Sequence, residues 1–160
     1  MLSRKAKYAL KALFLLARDQ DRGPILISEI AERERIPKKF LELILLDLKN
    51  HGILQSRKGK GGGYLLARSP EAITLGAVVR IAQGPLALTP CVSETAYRRC
   101  EECLDERTCG IRLAMKEVRD LTAKVLDGTS LADVQRRVDL LQGSGRGRAR
   151  RDRAGPAGRA

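Results

Sequence analysis

The chain has no tryptophan and only 3% aromatic residues, so its core cannot rest on large rings and must be packed from Leu, Ile, Val and Ala. No run approaches the roughly 20 consecutive apolar residues that a membrane-crossing helix needs, which excludes a spanning segment and a membrane partner. The amino-terminal stretch MLSRKAKYALKALFLLARDQ does place basic residues ahead of apolar ones, as an export signal would. Lys11 interrupts that run, however, and it ends in Arg18-Asp19-Gln20 with no small-residue cleavage site. The expectation is an ordinary helix in a cytoplasmic protein. Histidine occurs once, at His51, which rules out a metal site built from several imidazoles. Acid is also scarce: 19 Asp and Glu face 31 Lys and Arg, for a net charge of +12. Residues 143–160 hold six Arg against one Asp, and removing their +5 from +12 still leaves the rest at +7. A body that is basic without its tail points to a polyanionic partner.

What the chain does have is helical periodicity. Ser3 is placed to cap a first helix reaching Asp19, with Ala6, Ala9, Leu10, Leu13, Phe14, Leu16 and Ala17 on one face. After the Gly23-Pro24 break, Ile25 to Ile27 reads as a short extended segment, and Ser28 begins a second, short helix, SEIAERE. Ile36-Pro37 forces a turn, because proline pushes the preceding residue out of helical space. A third helix follows from Lys38 to Asn50 and stops at His51-Gly52, with His51 expected to cap it rather than bind metal. Its apolar set Phe40, Leu41, Ile44, Leu45 and Leu48 faces mostly inward, while Lys38, Lys39, Glu42 and Leu43 lie outward. Two strand candidates, 53–57 and 64–68, flank the glycine-rich Lys58 to Gly63. Thr74 is set to cap a helix over 75–82, and Gly84-Pro85 ends it.

Two helices around a tight turn, followed by a basic glycine hairpin, predict a winged helix-turn-helix. The fold class expected is mainly α, with a two-stranded wing and a long C-terminal dimerisation helix. In such a unit the second helix enters a DNA major groove about 12 Å wide, N-terminus first. The candidate DNA contacts are Ser28, Lys38, Lys39, Phe40, Glu42 and Leu43 from the helices. The wing adds Arg57, Lys58, Lys60, Gly61, Gly62, Gly63 and Tyr64. Lysines there would meet phosphates or guanine edges, and Glu42 would accept a hydrogen bond from cytosine. The wing glycines are not a nucleotide-phosphate cradle, because no Gly-Lys-Ser/Thr follows and no strand-glycine-helix unit surrounds them.

Cysteine is absent from 141 residues and concentrated in the remaining segment, as Cys91, Cys100, Cys103 and Cys109. In a reducing compartment, clustered thiols are more often ligands or redox sensors than structural disulfides. The spacing Cys91-x8-Cys100-x2-Cys103-x5-Cys109 contains a single Cys-x2-Cys pair, whereas zinc sites usually combine two. Iron–sulfur clusters tolerate such irregular spacing on loops. Cluster and zinc stand level on this chemistry, with a thiol–disulfide switch third. A dithiol oxidoreductase built on Cys100 and Cys103 lacks the strand–helix setting that motif requires, and no enzyme is expected. After Cys109 a long helix over 111–127 carries Ile111, Leu113 or Ala114, Val118, Leu121, Val125 and Leu126 on one stripe, suited to a second copy of the chain. Gly128 ends it, and Thr129 or Ser130 caps a last helix over 131–141. The predicted organisation is therefore a DNA-binding domain at 1–84, a sensor loop at 85–110, the dimerisation and C-terminal helices at 111–142, and a disordered basic tail at 143–160.

The succession YALKAL, IPKKFLELILLDLKNHGIL, GKGGGYLLAR and ITLGAVVRIAQGP, followed by the cysteine loop, resembles the IscR/NsrR/RirA family of bacterial transcription regulators. The resemblance runs over about Met1 to Leu141. It implies a homodimer that binds double-stranded DNA, with a palindromic operator, and in several members an iron–sulfur cluster on the connecting loop whose state sets DNA affinity. Cys103-x5-Cys109 matches the family's last cysteine pair, and Cys91 matches its first. Arg112 stands where one branch has a histidine ligand, and Arg4 to Tyr8 offers no carboxylate where another branch uses one. The resemblance thus implies Cys91, Cys103 and Cys109 as ligands and leaves the fourth place to Cys100, or to a ligand from outside the protein. A [2Fe-2S] cluster is expected ahead of [4Fe-4S], with zinc as the alternative.

Overall fold

The computed structural model describes residues 2–151, with side chains through residue 142. At its centre lies α1 (Arg4–Arg18), capped by Ser3, whose Oγ accepts from the Ala6 N–H at 3.0 Å. Its inward face is short-chained: Ala6, Ala9, Ala12 and Ala17 are buried with Leu13, Leu15 and Leu16. Such small side chains let the neighbouring helices approach closely without voids.

Helix α2 (Ile27–Glu34) begins one residue before Ser28, which sits exposed in its first turn rather than capping it. The cause is upstream. Ile25 is pinned by a two-hydrogen-bond bridge to Tyr64 (2.9 and 2.8 Å), so Leu26 is the last extended residue and the helix turns straight after it. Arg35, in the left-handed conformation at φ 53°, ends α2 ahead of Ile36-Pro37. Helix α3 (Lys38–Asn50) keeps the expected bounds and buries Leu41, Ile44, Leu45 and Leu48. His51 caps it as expected: its ring Nδ1 donates to the Asp47 carbonyl at 2.8 Å.

Strands β1 (Leu54–Arg57) and β2 (Gly63–Leu66) form an antiparallel hairpin in the register Leu54↔Leu66 to Arg57↔Gly63. Helix α4 (Leu75–Gln83) starts at Thr74, whose Oγ1 accepts from the Ala77 N–H at 3.2 Å. The architecture is the expected one, mainly helical with a two-stranded wing. The long helix α5 (Gly110–Asp127) and α6 (Leu131–Arg151) complete it. Ser130 opens α6 with a reciprocal cap: its Oγ accepts from the Asp133 N–H at 3.1 Å, and the Asp133 carboxylate accepts from the Ser130 N–H at 2.9 Å. Helix α6 returns onto α1, with Leu131 fully buried in the common core. Its backbone stays helical to Arg151, beyond residue 142 where regular structure was expected to stop. The part of the tail at 152–160 lies outside the described residues.

Candidate nucleic-acid interface and cysteine loop

The start of α3 and the wing both present basic residues to solvent. Lys38 and Lys39 at the start of α3, and Arg57, Lys58 and Lys60 on the wing, are all exposed. Among the described residues none of the five enters an ion pair, although basic residues elsewhere do, as in Lys5–Asp47 at 2.5 Å and Lys11–Glu34 at 3.5 Å. Unpaired, exposed cations are available to phosphates. Glu42 and Leu43 point outward on the same helix, and Ser28 is exposed on α2. Phe40 is less buried than its place in the apolar set suggested. It lies at the rim of the core, with its ring edge-to-face on Tyr8 at 5.8 Å between centroids.

The wing residues divide by role. Gly61 is exposed at the tip with Lys58 and Lys60, whereas Gly62 is buried and Tyr64 packs half-buried against the core. Gly63 has φ 143°, and a Cβ there would lie 2.4 Å from the Ile25 carbonyl oxygen. The glycine is what lets the wing lie against the strand-like segment before α2. Gly62, Gly63 and Tyr64 therefore build the wing, and its charged residues present it. Sequence reasoning did not anticipate the Ile25–Tyr64 bridge, since a one-residue ladder leaves no period to read.

The cysteine loop joins α4 to α5. Its first part is held by a short 3-10 turn, Pro90–Val92, which buries Cys91 beside the Thr89 hydroxyl at 3.5 Å. Ser93 is also buried, and its Oγ accepts from the Ala96 N–H at 3.0 Å. Farther along, Arg99 donates to the carbonyls of Cys103 (3.0 Å) and Leu104 (3.2 Å), and the Tyr97 hydroxyl donates to Glu106. Cys109 is the residue from which α5 begins. Contact with the Cys91 thiol, then burial, pushes the Cys100 thiol above its ordinary value. The donor set suits a soft metal centre: four thiols, three of them half-buried and one buried. As folded, the four do not converge, and among the described residues no group of three is placed to hold a metal ion.

One ion pair connects the loop to α5, and a second connects α5 to α4. Arg119, only 8% exposed and the sole buried residue of α5, meets Glu94 of the loop and also Asp120 at 2.8 Å. The Glu94 contact lacks hydrogen-bond alignment, and the Arg119 Nε has no partner. Near the C-terminal end of α5, Asp127 accepts two hydrogen bonds from Arg80 of α4, at 2.6 and 2.8 Å. That pairing holds the Asp127 carboxyl below its usual range and raises the Arg80 guanidinium. Backbone bonds from Leu75 to Thr129 and from Leu131 to Ile73, both 2.9 Å, fix the same corner. The opposite flank of α5 is exposed. Leu121 is 58% exposed and Val125 64%, and Ile111, Leu113 and Val118 are exposed with them. Among the described residues nothing covers this part of the expected apolar stripe, of which only Leu126 is half-buried.

Residues 2–137 match the Rrf2 family model, described as iron-dependent transcriptional regulators. The chain is 42% identical to an Rrf2-like HTH-type transcriptional regulator of Rhodobacter capsulatus over 84% of its own length and 91% of the relative's. It is 30% identical to the HTH-type transcriptional regulator CymR of Bacillus subtilis, covering 86% and 91%. The solved structure of that CymR, the global cysteine regulator of B. subtilis, superposes with a TM-score of 0.69 at 29% identity, over 84% of this chain and 95% of that one. The structure of T. potens IscR superposes with a TM-score of 0.71 at 27% identity, over 89% and 90%. The chain belongs to the Rrf2 family of transcriptional regulators, and is no enzyme.

Proposed function

We propose that this regulator works as a cytoplasmic, nucleoid-associated homodimer on a palindromic operator, and that the state of the Cys91–Cys109 loop sets its DNA affinity. One observation carries the reading. Glu94 ties the loop to Arg119 on α5, and Asp127 on α5 is tied to Arg80 of α4, so the loop is linked to the DNA-reading unit by buried or bidentate charge. Residues 1–84 read DNA, 85–110 sense, and 111–142 pair the subunits. The uncovered stripe of Leu121 and Val125 meets its counterpart on a second copy. Twofold symmetry then sets the recognition helices about 34 Å apart, one turn of DNA.

Cys91, Cys103 and Cys109, with Cys100 as the fourth, are the residues that would hold an iron–sulfur cluster, [2Fe-2S] ahead of [4Fe-4S]. A cluster there would supply a group that oxidants or iron shortage can remove. Around it the chain's own residues do the rest: the Pro90–Val92 turn keeps Cys91 buried, and Arg99 organises the segment between Cys100 and Leu104. The loop must close further to bring its thiols together. A second reading is a thiol–disulfide switch between Cys91, buried on the Pro90–Val92 turn, and Cys100, whose thiol it pushes up. In that reading both thiols give up their protons and two electrons to a peroxide, a disulfide forms, and the peroxide becomes two waters.

The test is protein purified without oxygen, with visible absorbance and iron, sulfide and zinc content measured beside DNA binding. Colour with iron and sulfide, lost in Cys103→Ala and Cys109→Ala together with signal-dependent binding, supports the cluster. A signal response unchanged in both variants sinks it. Colourless protein with one zinc per chain replaces the cluster by a structural metal. Colourless, metal-free protein in which peroxide links Cys91 to Cys100 and alters DNA binding supports the thiol reading. With about 6–10 phosphate contacts, affinity falls about 10³- to 10⁵-fold between 50 and 200 mM salt.

A further inference from the structure

The outward face of α3 carries more than charge. Lys39, Leu43, Leu46 and Asn50 follow one another at helical spacing along the line away from the core. Leu43 is 62% exposed and Leu46 48%, beside the unpaired Lys38 and Lys39. A single exposed leucine would mean little. Here two adjoin on the second helix of a helix-turn-helix, flanked by cations that leave the face suited to a polyanion. Leu43 lies within the first two turns of α3, the part of such a helix that reaches base edges. It has no hydrogen-bonding atom, and the one apolar group a major groove presents is the C5 methyl of thymine.

We infer that Leu43 is a specificity-determining residue that reads a thymine methyl in each half-site, next to the base contacted by Glu42, with Leu46 closing the apolar contact from one turn along. This rests on the operator-binding reading above. Glu42 and Leu43 are neighbours in the chain, so the thymine stands at a step adjoining the cytosine whose amino group Glu42 accepts. Discrimination at that step comes from a methyl group alone, because no side chain at position 43 competes for a hydrogen bond.

The experiment uses the full-length dimer and an operator selected from random duplexes. Each thymine is replaced in turn by deoxyuridine, which differs only by the missing methyl. Wild-type protein should lose about fourfold in affinity per half-site at one thymine, the worth of one buried methyl. Leu43→Ala should lose about as much on the unmodified operator and be indifferent to deoxyuridine at that step. Leu43→Met should retain the methyl dependence. Selective binding that ignores every thymine methyl overturns this inference alone, as does a methyl dependence that survives in Leu43→Ala. Wild-type protein that selects no duplex overturns the operator reading, and this inference with it.

Discussion

Replacing Gly76 by alanine should destabilise the protein, against the usual preference of helices for alanine. Gly76 is in the first turn of α4, where the exchange alone would contribute about 0.5–1 kcal/mol of stability. A Cβ built there falls 1.9 Å from the Asp127 Oδ1 and 2.9 Å from the Arg80 Nη1. Both are inside any permitted contact, so the carboxylate must leave its place. It cannot do so and keep both hydrogen bonds to Arg80. The pair is bidentate but 33% and 45% exposed on its two side chains, so the loss is about 1–2 kcal/mol rather than the value of a buried pair. The net expectation is a loss of about 1 kcal/mol, or roughly 3 °C in melting temperature. The decisive comparison is in an Asp127→Ala background, where the carboxylate is gone and the Arg80 side chain, released from its partner, can swing clear of the new methyl, so that Gly76→Ala should stabilise by about 0.5 kcal/mol. Urea unfolding of all four proteins at one fixed concentration measures the coupling, since dimerisation would otherwise shift the midpoints. A stabilising Gly76→Ala in the wild type, or the same effect in both backgrounds, refutes the argument.

Three further outcomes follow from the same geometry. Asp19 is held at a pKa of about 2, chiefly by the hydrogen bond from Arg33 at 2.7 Å, and by Arg18 and Arg22. That is below its unfolded value near 3.9, so its contribution is complete above about pH 4 and fades as pH falls toward 2. Asp19→Asn should cost about 1–2 kcal/mol at pH 7 and nearly nothing at pH 2, which acid-dependent unfolding will check. Ser130→Ala removes half of the reciprocal cap on α6 and should lower stability by about 1 kcal/mol in thermal unfolding, with a larger effect than Ser28→Ala, whose side chain caps nothing. Glutamates at Leu121 and Val125 should yield a folded monomer in analytical ultracentrifugation that has lost operator affinity; a variant that stays dimeric would exclude this stripe as the interface.

The helices were legible because their signals are local. Ser3 and Thr74 cap where their spacing says they should, and Pro37 with Gly52 brackets α3. The strands were legible to within two residues, because the glycines between them leave only a hairpin. What escaped depended on partners distant in the chain. Ile25 bridges Tyr64 and so moves the start of α2, a contact across almost forty residues that no periodicity announces. Arg119 reads as one more charge on a polar face, yet it is the buried residue of α5, because its partner Glu94 comes from a loop without regular structure. The site followed the same division. The basic residues of α3 and the wing came from composition and motif, whereas the burial of Cys91 depends on how the Pro90–Val92 turn folds back.

Magnitudes limit what that loop can do alone. Each tenfold change in DNA affinity requires about 1.4 kcal/mol, and a switch from 1:99 to 99:1 requires about 5.5 kcal/mol. Glu94 is 70% exposed, so its pairing with Arg119 is worth about 1 kcal/mol, and the Arg80–Asp127 pair about 1–2 kcal/mol. Breaking one connection changes affinity by about five- to thirtyfold, and breaking both in one chain still falls short of a full switch. In a twofold dimer the same two connections occur in each subunit, and α5 carries both. Moving α5 therefore changes four pairs at once, and their sum of about 4–6 kcal/mol reaches the range of a complete transition. Glu94→Gln, which weakens one connection in each subunit, should keep operator binding and give a shallower signal response than the wild-type dimer, and an equally steep response would refute the coupling.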